Sequence, residues 1–413
     1  MSDEIASTTV EPAEQLEPVR DYELNPNIHP SEIIKAYGGH IVDKQGRDFI
    51  DLYGGAGSNI LGHGYRCVVK AIERQARQFT NPAISFPGGW ELYSLLHEMM
   101  PCVENIRLGK NGSDATAGAV RLAREIARRE RVMHHGYHGF HDWWVASTPC
   151  EGIPEALRPL VITLAELTPE AVDGAFRRHP GEIACLILDP MVPPWARVET
   201  VREIVEIVHR HGALVIFDEV FSGFRVALGG AQEVWGVAPD LCCFGKAIAN
   251  GMPLSVLAGS ERWMRHMPKI NFGMTFEGEA VSIAAALATL RELRKRDVPT
   301  ALAAKGRALR EAYAGSAREH GLNTALVGAD ARPMLSFESH GAVAARELRW
   351  LCLQELARAG ILTQGFFNLC YSHTDRDVRA VAAALANALG VMRDAVDRGS
   401  VRGMLDERIR QAL

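Results

Sequence analysis

The stretch from Ile183 to Val220, IACLILDPMVPPWARVETVREIVEIVHRHGALVIFDEV, decides the fold. It opens on a continuous apolar run of strand length that ends at Asp189 and Pro190. The segment TVREIVEIVHRHG follows with helical spacing, placing Val201, Ile204, Val205 and Val208 on one face. Gly212 ends that helix, and ALVIFDEV is a second apolar strand. Two strands without polar alternation, joined by an amphipathic helix, form the repeating unit of a mostly parallel sheet covered on both faces. Asp218 and Glu219 stand at the carboxyl end of the second strand, where open α/β sheets hold their ligands.

Outward from this unit, short apolar runs alternate with amphipathic stretches from about Ile106 to Ser260, which predicts a large α/β domain. Towards the N-terminus, IVDKQGRDFIDL (41–52) reads as a hairpin that turns at Gly46 and caps a smaller domain. Towards the C-terminus, REAYAGSAREHG and DVRAVAAALANALGVMRDAV are helical and PMLSFES is strand-like, an α+β pattern. The 413 residues exceed one ordinary compact domain. The expected division is a loose acidic tail over 1–25, an N-terminal part of the small domain and interface over 26–65, a large domain over 66–297, and the remainder of the small domain over 298–413.

Composition narrows the function. A net charge of −5 gives no electrostatic reason to expect nucleic acid or an anionic membrane as partner, which leaves small molecules. No run of eighteen apolar residues occurs, so no membrane helix is expected, and the acidic start does not resemble a signal peptide. The eight cysteines (Cys67, Cys102, Cys150, Cys185, Cys242, Cys243, Cys352 and Cys370) show no CxxC pair, which suggests reduced thiols and a cytoplasmic setting.

Four segments carry chemistry. In GKNGSDATAGAVRLAR (109–124) a glycine-rich turn runs into a helix with Ala119, Leu122, Ala123 and Ile126 on its apolar face. Free backbone N–H groups and the dipole end gather near Gly112 and Ser113; this is either an anion site or a helix capped by Ser113 and Asp114 alone. In GYHGFHDWW (136–144), Tyr137, Phe140, Trp143 and Trp144 offer rings for stacking on a flat heterocycle or for core packing. His134, His135, His138 and His141 lie close by, but no carboxylate or cysteine pattern completes a metal ligand set, and no metal is expected. In VIFDEVFSGFRVALGGAQ (215–232) a buried Asp218 needs a partner with a proton to share; a pyridinium nitrogen would serve, as would an ordinary ion pair. In DLCCFGKAIANGMPLSVLAG (240–259) Lys246 follows an apolar run that disfavours its charged form and makes the amine nucleophilic, whereas a lysine on a solvated loop would be inert.

The run DEVFSGFRVALGGAQEVWGVAPDLCCFGKAIANGMPLSVLAG resembles the class III aminotransferases, and among them the glutamate-1-semialdehyde aminomutase branch. The similarity extends from DLYGGAGSNILGHG through TFEGEAVSIAAALATL. The resemblance implies a fold type I architecture, pyridoxal 5'-phosphate as cofactor, and a homodimer with shared active sites. Carried over by position, it implies that Lys246 holds the cofactor as a Schiff base and shuttles the substrate proton, and that Asp218 binds the pyridine nitrogen. It further implies that Tyr137 and Val220 press on the two ring faces, that Gly112 and Ser113 hold the phosphate, and that Thr275 adds a phosphate contact from the neighbouring subunit. Asp189 is a further cofactor contact, standing where many members carry glutamate. The implied reaction is amino transfer from an amino acid donor to a small carbonyl acceptor; the alternative is an aminomutase, racemase or decarboxylase on the same cofactor.

Three departures bear on substrate. Asp189 is one methylene shorter than the usual residue, and Phe221 replaces a glutamine common after DEV. An arginine expected in an SPVR-like stretch near the start is missing from NIHPSEIIKAYGG. With the GYHGFHDWW variant, these shift the expected acceptor towards an uncharged carbonyl such as a keto-sugar, cyclitol or secondary-metabolite intermediate. Phe221, Trp144 and the segment FFNLCYSH (366–373) are the expected substrate-facing surface, His373 being either functional or structural. A dinucleotide-binding reading of GGAGSNILGHG fails because Ile60 stands where the third glycine belongs, and a P-loop reading of the Lys246 segment fails because Asp240 takes the place of its first glycine. A scaffold without chemistry would have no need to keep both Lys246 and Asp218.

Overall fold

The computed structural model describes residue 30, residues 32–193, residues 196–407 and residue 409. The expected tail at 1–25 lies outside the described residues. Near the N-terminus, strands β1 (Ile33–Tyr37), β2 (His40–Asp43) and β3 (Asp48–Asp51) form an antiparallel meander. The expected hairpin is β2–β3, and Gly46 takes its turn with a φ of 78°.

Seven strands build the large sheet: β4 (Asn105–Gly109), β5 (Arg131–His135), β6 (Val161–Thr163), β7 (Ile183–Leu188), β8 (Leu214–Glu219), β9 (Leu241–Phe244) and β10 (Ser255–Gly259). Their order is β4-β10-β9-β8-β7-β5-β6. Neighbours from β9 to β6 are parallel, while β10 is antiparallel to both β9 and β4. Two reversals restore direction, so β4 runs the same way as β9. The carboxyl ends of β4, β5, β7, β8 and β9 therefore open on one edge of the sheet.

The alternation of side chains along β8 divides the layers. Leu214 and Ile216 pack with Ala119, Leu122 and Ala123 of helix α1 (Gly112–Ala127). Val215 and Phe217 face the other side, against Val201, Ile204 and Val208 of helix α2 (Val198–Arg210) and Trp235 of helix α3 (Gly230–Trp235). Each such apolar side chain, fully buried, contributes about 1.5–3 kcal/mol before the entropy of ordering it is counted. The same period carries Asp218 to the α1 side and Glu219 to the α3 side.

Beyond the large sheet, helices α4 (Ala280–Arg296) and α5 (Val298–Glu319) meet at Asp297, which has a φ of 46°, and Pro299 opens the second helix. The hairpin β11 (Thr324–Val327) and β12 (Met334–Phe337) follows, then helix α6 (Ala345–Arg358), strand β13 (Ile361–Leu362) and helix α7 (Asp375–Asp397). Strand β13 pairs in parallel with β3, so residues from both ends of the chain share the small sheet. One apolar cluster runs from Leu52 and Phe244 through Leu290 to Leu385, continuous across these parts. Among the described residues no helix is long and apolar enough to cross a membrane.

Candidate active site

The edge formed by the carboxyl ends of the parallel strands collects nearly every residue singled out in the sequence. Lys246 follows β9 after Gly245 and adopts a φ of 42°, a left-handed conformation unusual for a residue with a Cβ. Such strain costs on the order of 1–3 kcal/mol and persists where the surroundings dictate it. Asn250, in the same turn, provides part of that constraint: its side chain accepts from the Leu61 backbone at 2.8 Å and donates to the Gly62 carbonyl at 3.0 Å. The glycine-rich NILGHG segment is thus a wall tied to the Lys246 turn. Burial lowers the Lys246 amine to about 8, even though the nearby charges of Asp218 and Asp189 pull it up. The amine lies 4.2 Å from the centroid of the Phe221 ring.

Asp218 is buried at the end of β8. Its Oδ2 lies 2.8 Å from His138 Nδ1, and its Oδ1 accepts from the Val220 backbone at 3.2 Å. His138 Nε2 lies 3.2 Å from the His135 carbonyl, so the imidazole is held at both nitrogens. A histidine considered above only as a possible metal ligand is therefore the side-chain partner of Asp218. The sequence signal was that a buried carboxylate needs a partner, but four histidines between 134 and 141 could have answered it. Among the described residues no group of three His, Cys, Asp or Glu could hold a metal ion.

The start of α1, the candidate anion site, meets the same edge. A Cβ on Gly112 would lie 2.7 Å from Val220 Cγ1, and one on Gly139 would lie 2.2 Å from Ser113 Oγ. Only glycine allows the three loops to approach this closely. Ser113 Oγ accepts from the Phe140 backbone at 3.3 Å, while Asp114 ties the turn by accepting from the Lys110 and Asn111 backbones at 2.9 and 2.7 Å. Asp189 begins the loop after β7, where burial raises its carboxyl above the usual range and Oδ1 accepts from the Met191 backbone at 2.8 Å. Tyr137 is 61% exposed, its ring set edge-on to Trp144 at 4.8 Å.

Thr275 differs: it is exposed, and its carbonyl accepts from Asn81 at 3.0 Å. The segment 366–373 splits. Phe366 borders the site, but Phe367, Leu369 and Cys370 are core residues. His373 is buried too, with Nδ1 accepting from the Cys370 backbone at 2.9 Å, a contact that ties its own turn. Glu219, paired with Asp218 in the sequence as a functional candidate, is also structural. It is fully buried and accepts from Ser222 Oγ at 2.7 Å, the Ala231 backbone at 2.6 Å, and the Gln232 backbone and side chain at 3.2 and 3.1 Å.

Two arginines were not legible as site residues. Arg225 is fully buried, donating to the carbonyls of Leu369 at 2.8 Å, Gly57 at 2.9 Å and Ala331 at 3.4 Å, and so ties three segments together. Arg332 lies with its guanidinium carbon 4.2 Å from the Phe221 ring centroid and 4.4 Å from that of Phe366.

This constellation fits pyridoxal phosphate. An amine lowered by burial can bond a carbonyl carbon. A buried carboxylate with a weakly used Oδ1 can accept from a ring N–H, and the glycine-rich start of a sixteen-residue helix is a position whose backbone N–H groups suit a phosphate.

Comparison with known proteins agrees. The family model described as aminotransferase class-III matches residues 24–372. The 3-aminobutyryl-CoA aminotransferase of Cloacimonas acidaminovorans (strain Evry) is 31% identical over 390 residues, 91% of this chain and 92% of the relative. The glutamate-1-semialdehyde 2,1-aminomutase of Desulfosudis oleivorans (strain DSM 6200 / JCM 39069 / Hxd3) is 34% identical over 316 residues, 71% of this chain and 73% of the relative. The FumI protein of Sphingopyxis sp. MTA144, solved in its PLP internal aldimine form, superposes with a TM-score of 0.82 at 26% identity, covering 91% of this chain and 92% of that one.

Proposed function

The chain belongs to the class-III aminotransferase family, pyridoxal-phosphate enzymes of the fold type I architecture, and from that premise we propose that it moves an amino group from an amino acid donor to a small carbonyl acceptor at Lys246. The observation that carries the reading is the meeting, at one sheet edge, of a half-buried lysine whose amine is lowered by desolvation, a buried carboxylate and a glycine-cradled helix start.

When bound, the cofactor supplies an electron sink that stabilises negative charge on the substrate carbon bearing nitrogen. The protein's share is positional and acid–base. Lys246 would hold the cofactor covalently, and its amine, lowered to about 8, gives a substantial neutral fraction near physiological pH that can take a proton from the substrate carbon and return it elsewhere. Asp218 would hold the ring-nitrogen proton at its carboxylate, and His138 is a positioning residue that fixes that carboxylate. Val220 and Tyr137 would bound the ring on its two faces, Gly112 and Ser113 would hold the phosphate, and Asp189 completes the wall after β7. Thr275 would reach the phosphate of a partner subunit in a homodimer with shared sites; the exposure of Phe140 and Phe276 supports such an interface. The free thiols fit a cytoplasmic setting.

The aminomutase reading is supported by the Desulfosudis relative, and the same groups would serve it. The deciding experiment is an absorbance titration of the purified holoenzyme with a panel of amino acids, followed by carbonyl acceptors including keto-sugars and cyclitol ketones. Amino transfer converts the cofactor band to its amine form and an acceptor restores it. Product formed from a single substrate with no acceptor present would move the aminomutase reading ahead.

A further inference from the structure

Arg332 takes no part in the cofactor argument, yet it lies beside the reacting lysine. Its guanidinium carbon and the Lys246 amine are each 4.2 Å from the centroid of one ring, Phe221, so they can be no farther apart than twice that distance. Phe366 supports the guanidinium as well, at 4.4 Å. An arginine stacked on two rings is fixed in orientation and has lost little hydrogen-bonding capacity, because the ring faces use none of its N–H donors.

Among the described residues few of those donors are used. Nε donates to Asn368 Oδ1 at 3.1 Å and one terminal nitrogen approaches Met334 Sδ, a weak acceptor, at 3.4 Å. Among the described residues Arg332 forms no ion pair: Asp189 acts on it electrostatically without a hydrogen bond. Burial lowers the group only to about 10, so it remains charged at neutral pH. The contrast with Arg225 is informative, since that guanidinium is engaged by three backbone carbonyls. A partly desolvated cation with free donors calls for an anion with two oxygens.

We infer that Arg332 binds the substrate carboxylate in this site, and that it selects substrates whose carboxylate is one or two carbons from the reacting nitrogen or carbonyl. The inference rests on the reading of Lys246 as the cofactor-bearing residue. The length limit follows from the span. A guanidinium–carboxylate contact occupies about 2.8 Å between N and O, and bonds of about 1.5 Å must bridge what remains. An α- or β-amino acid, or the matching keto acid, fits that gap, whereas an amino acid with four carbons between the groups overruns it. The carboxylate contact that the missing N-terminal arginine left unassigned is thereby supplied from the loop before β12.

The test compares wild-type holoenzyme with Arg332→Gln and Arg332→Lys in single-turnover absorbance with alanine, β-alanine, 5-aminopentanoate and 1-phenylethylamine, which has no carboxylate. In wild type the α- and β-amino acids should outrun 5-aminopentanoate. In Arg332→Gln the ratio of kcat/KM for alanine or β-alanine to that for 1-phenylethylamine should fall about ten- to a hundredfold, chiefly through KM, with partial recovery in Arg332→Lys. Calorimetric binding of propionate, a carboxylate that cannot react, should be measurable in wild type and lost in Arg332→Gln. An equal loss for carboxylate and amine donors, or propionate binding unaffected by the substitution, overturns the assignment; so does binding of inorganic phosphate in preference to propionate. If no amine changes the wild-type spectrum while propionate still binds through Arg332, the amino-transfer reading fails and the carboxylate site stands.

Discussion

At the residue scale, Lys246 and Asp218 illustrate opposite uses of burial. Desolvation disfavours the ammonium of Lys246, which titrates at about 8 instead of 10.5. The apo-protein should therefore capture added pyridoxal phosphate with a rate that rises with pH and levels off near 8; a rise continuing towards 10.5, followed by absorbance, would contradict this. The same shift has a sign for stability. The folded-state value lies below the unfolded one, so the cost of the buried charge is fully present below about pH 8 and is relieved as pH climbs towards 10.5. Asp218 is instead held in place by His138 and the Val220 amide. Asp218→Asn preserves shape but offers no carboxylate, and kcat should drop on the order of a hundredfold or more while the melting temperature stays close to wild type. Full turnover in that variant would remove Asp218 from the mechanism.

At the scale of elements, β8 sends adjacent acids to different tasks. Asp218 faces the site, whereas Glu219 caps the start of α3 and gathers the FSGFR turn through Ser222. Burial raises the Glu219 carboxyl above the usual range, and its four hydrogen bonds oppose that rise only in part. Glu219→Ala would leave those donors unpaired in the interior, at about 1–3 kcal/mol for each group that finds no new partner. Thermal unfolding should show a clear fall in melting temperature, with the cofactor spectrum of the remaining folded protein intact. A variant as stable as wild type but without the cofactor band would instead place Glu219 in the chemistry.

At the scale of the whole molecule, the sheet order does the assembling. Because β10 reverses direction between β4 and β9, the start of α1 comes to the edge where Lys246 and Asp218 lie. The small sheet joins β3 to β13, and Arg225 links the carbonyls of Gly57, Ala331 and Leu369, so the site walls come from distant parts of the chain. Tyr137 at 61% exposed, Phe140 at 70% and Phe276 at 56% lie open on one protomer. A homodimer is expected by sedimentation at micromolar concentration, and Phe276→Arg should shift it towards monomer with loss of activity. A fully active monomer would rule out shared sites.

The sequence by itself determined the layered α/β architecture, since apolar runs of strand length, rich in Ile, Leu and Val and bounded by Gly212 or Pro190, alternate with a segment whose Val201, Ile204 and Val208 share a face only in a helix. It also raised the principal cofactor candidates, Lys246, Asp218 and the glycine-rich helix start, none of which has a decisive local signature but which together carry the family resemblance. Tertiary structure alone decided which of four histidines meets Asp218, that Glu219 caps α3, and that Arg332 stands over Phe221. Apart from the Glu219 cap, these are encounters between residues far apart in the chain. Their geometry depends on strand order and loop approach, and a residue's own sequence neighbours do not encode either.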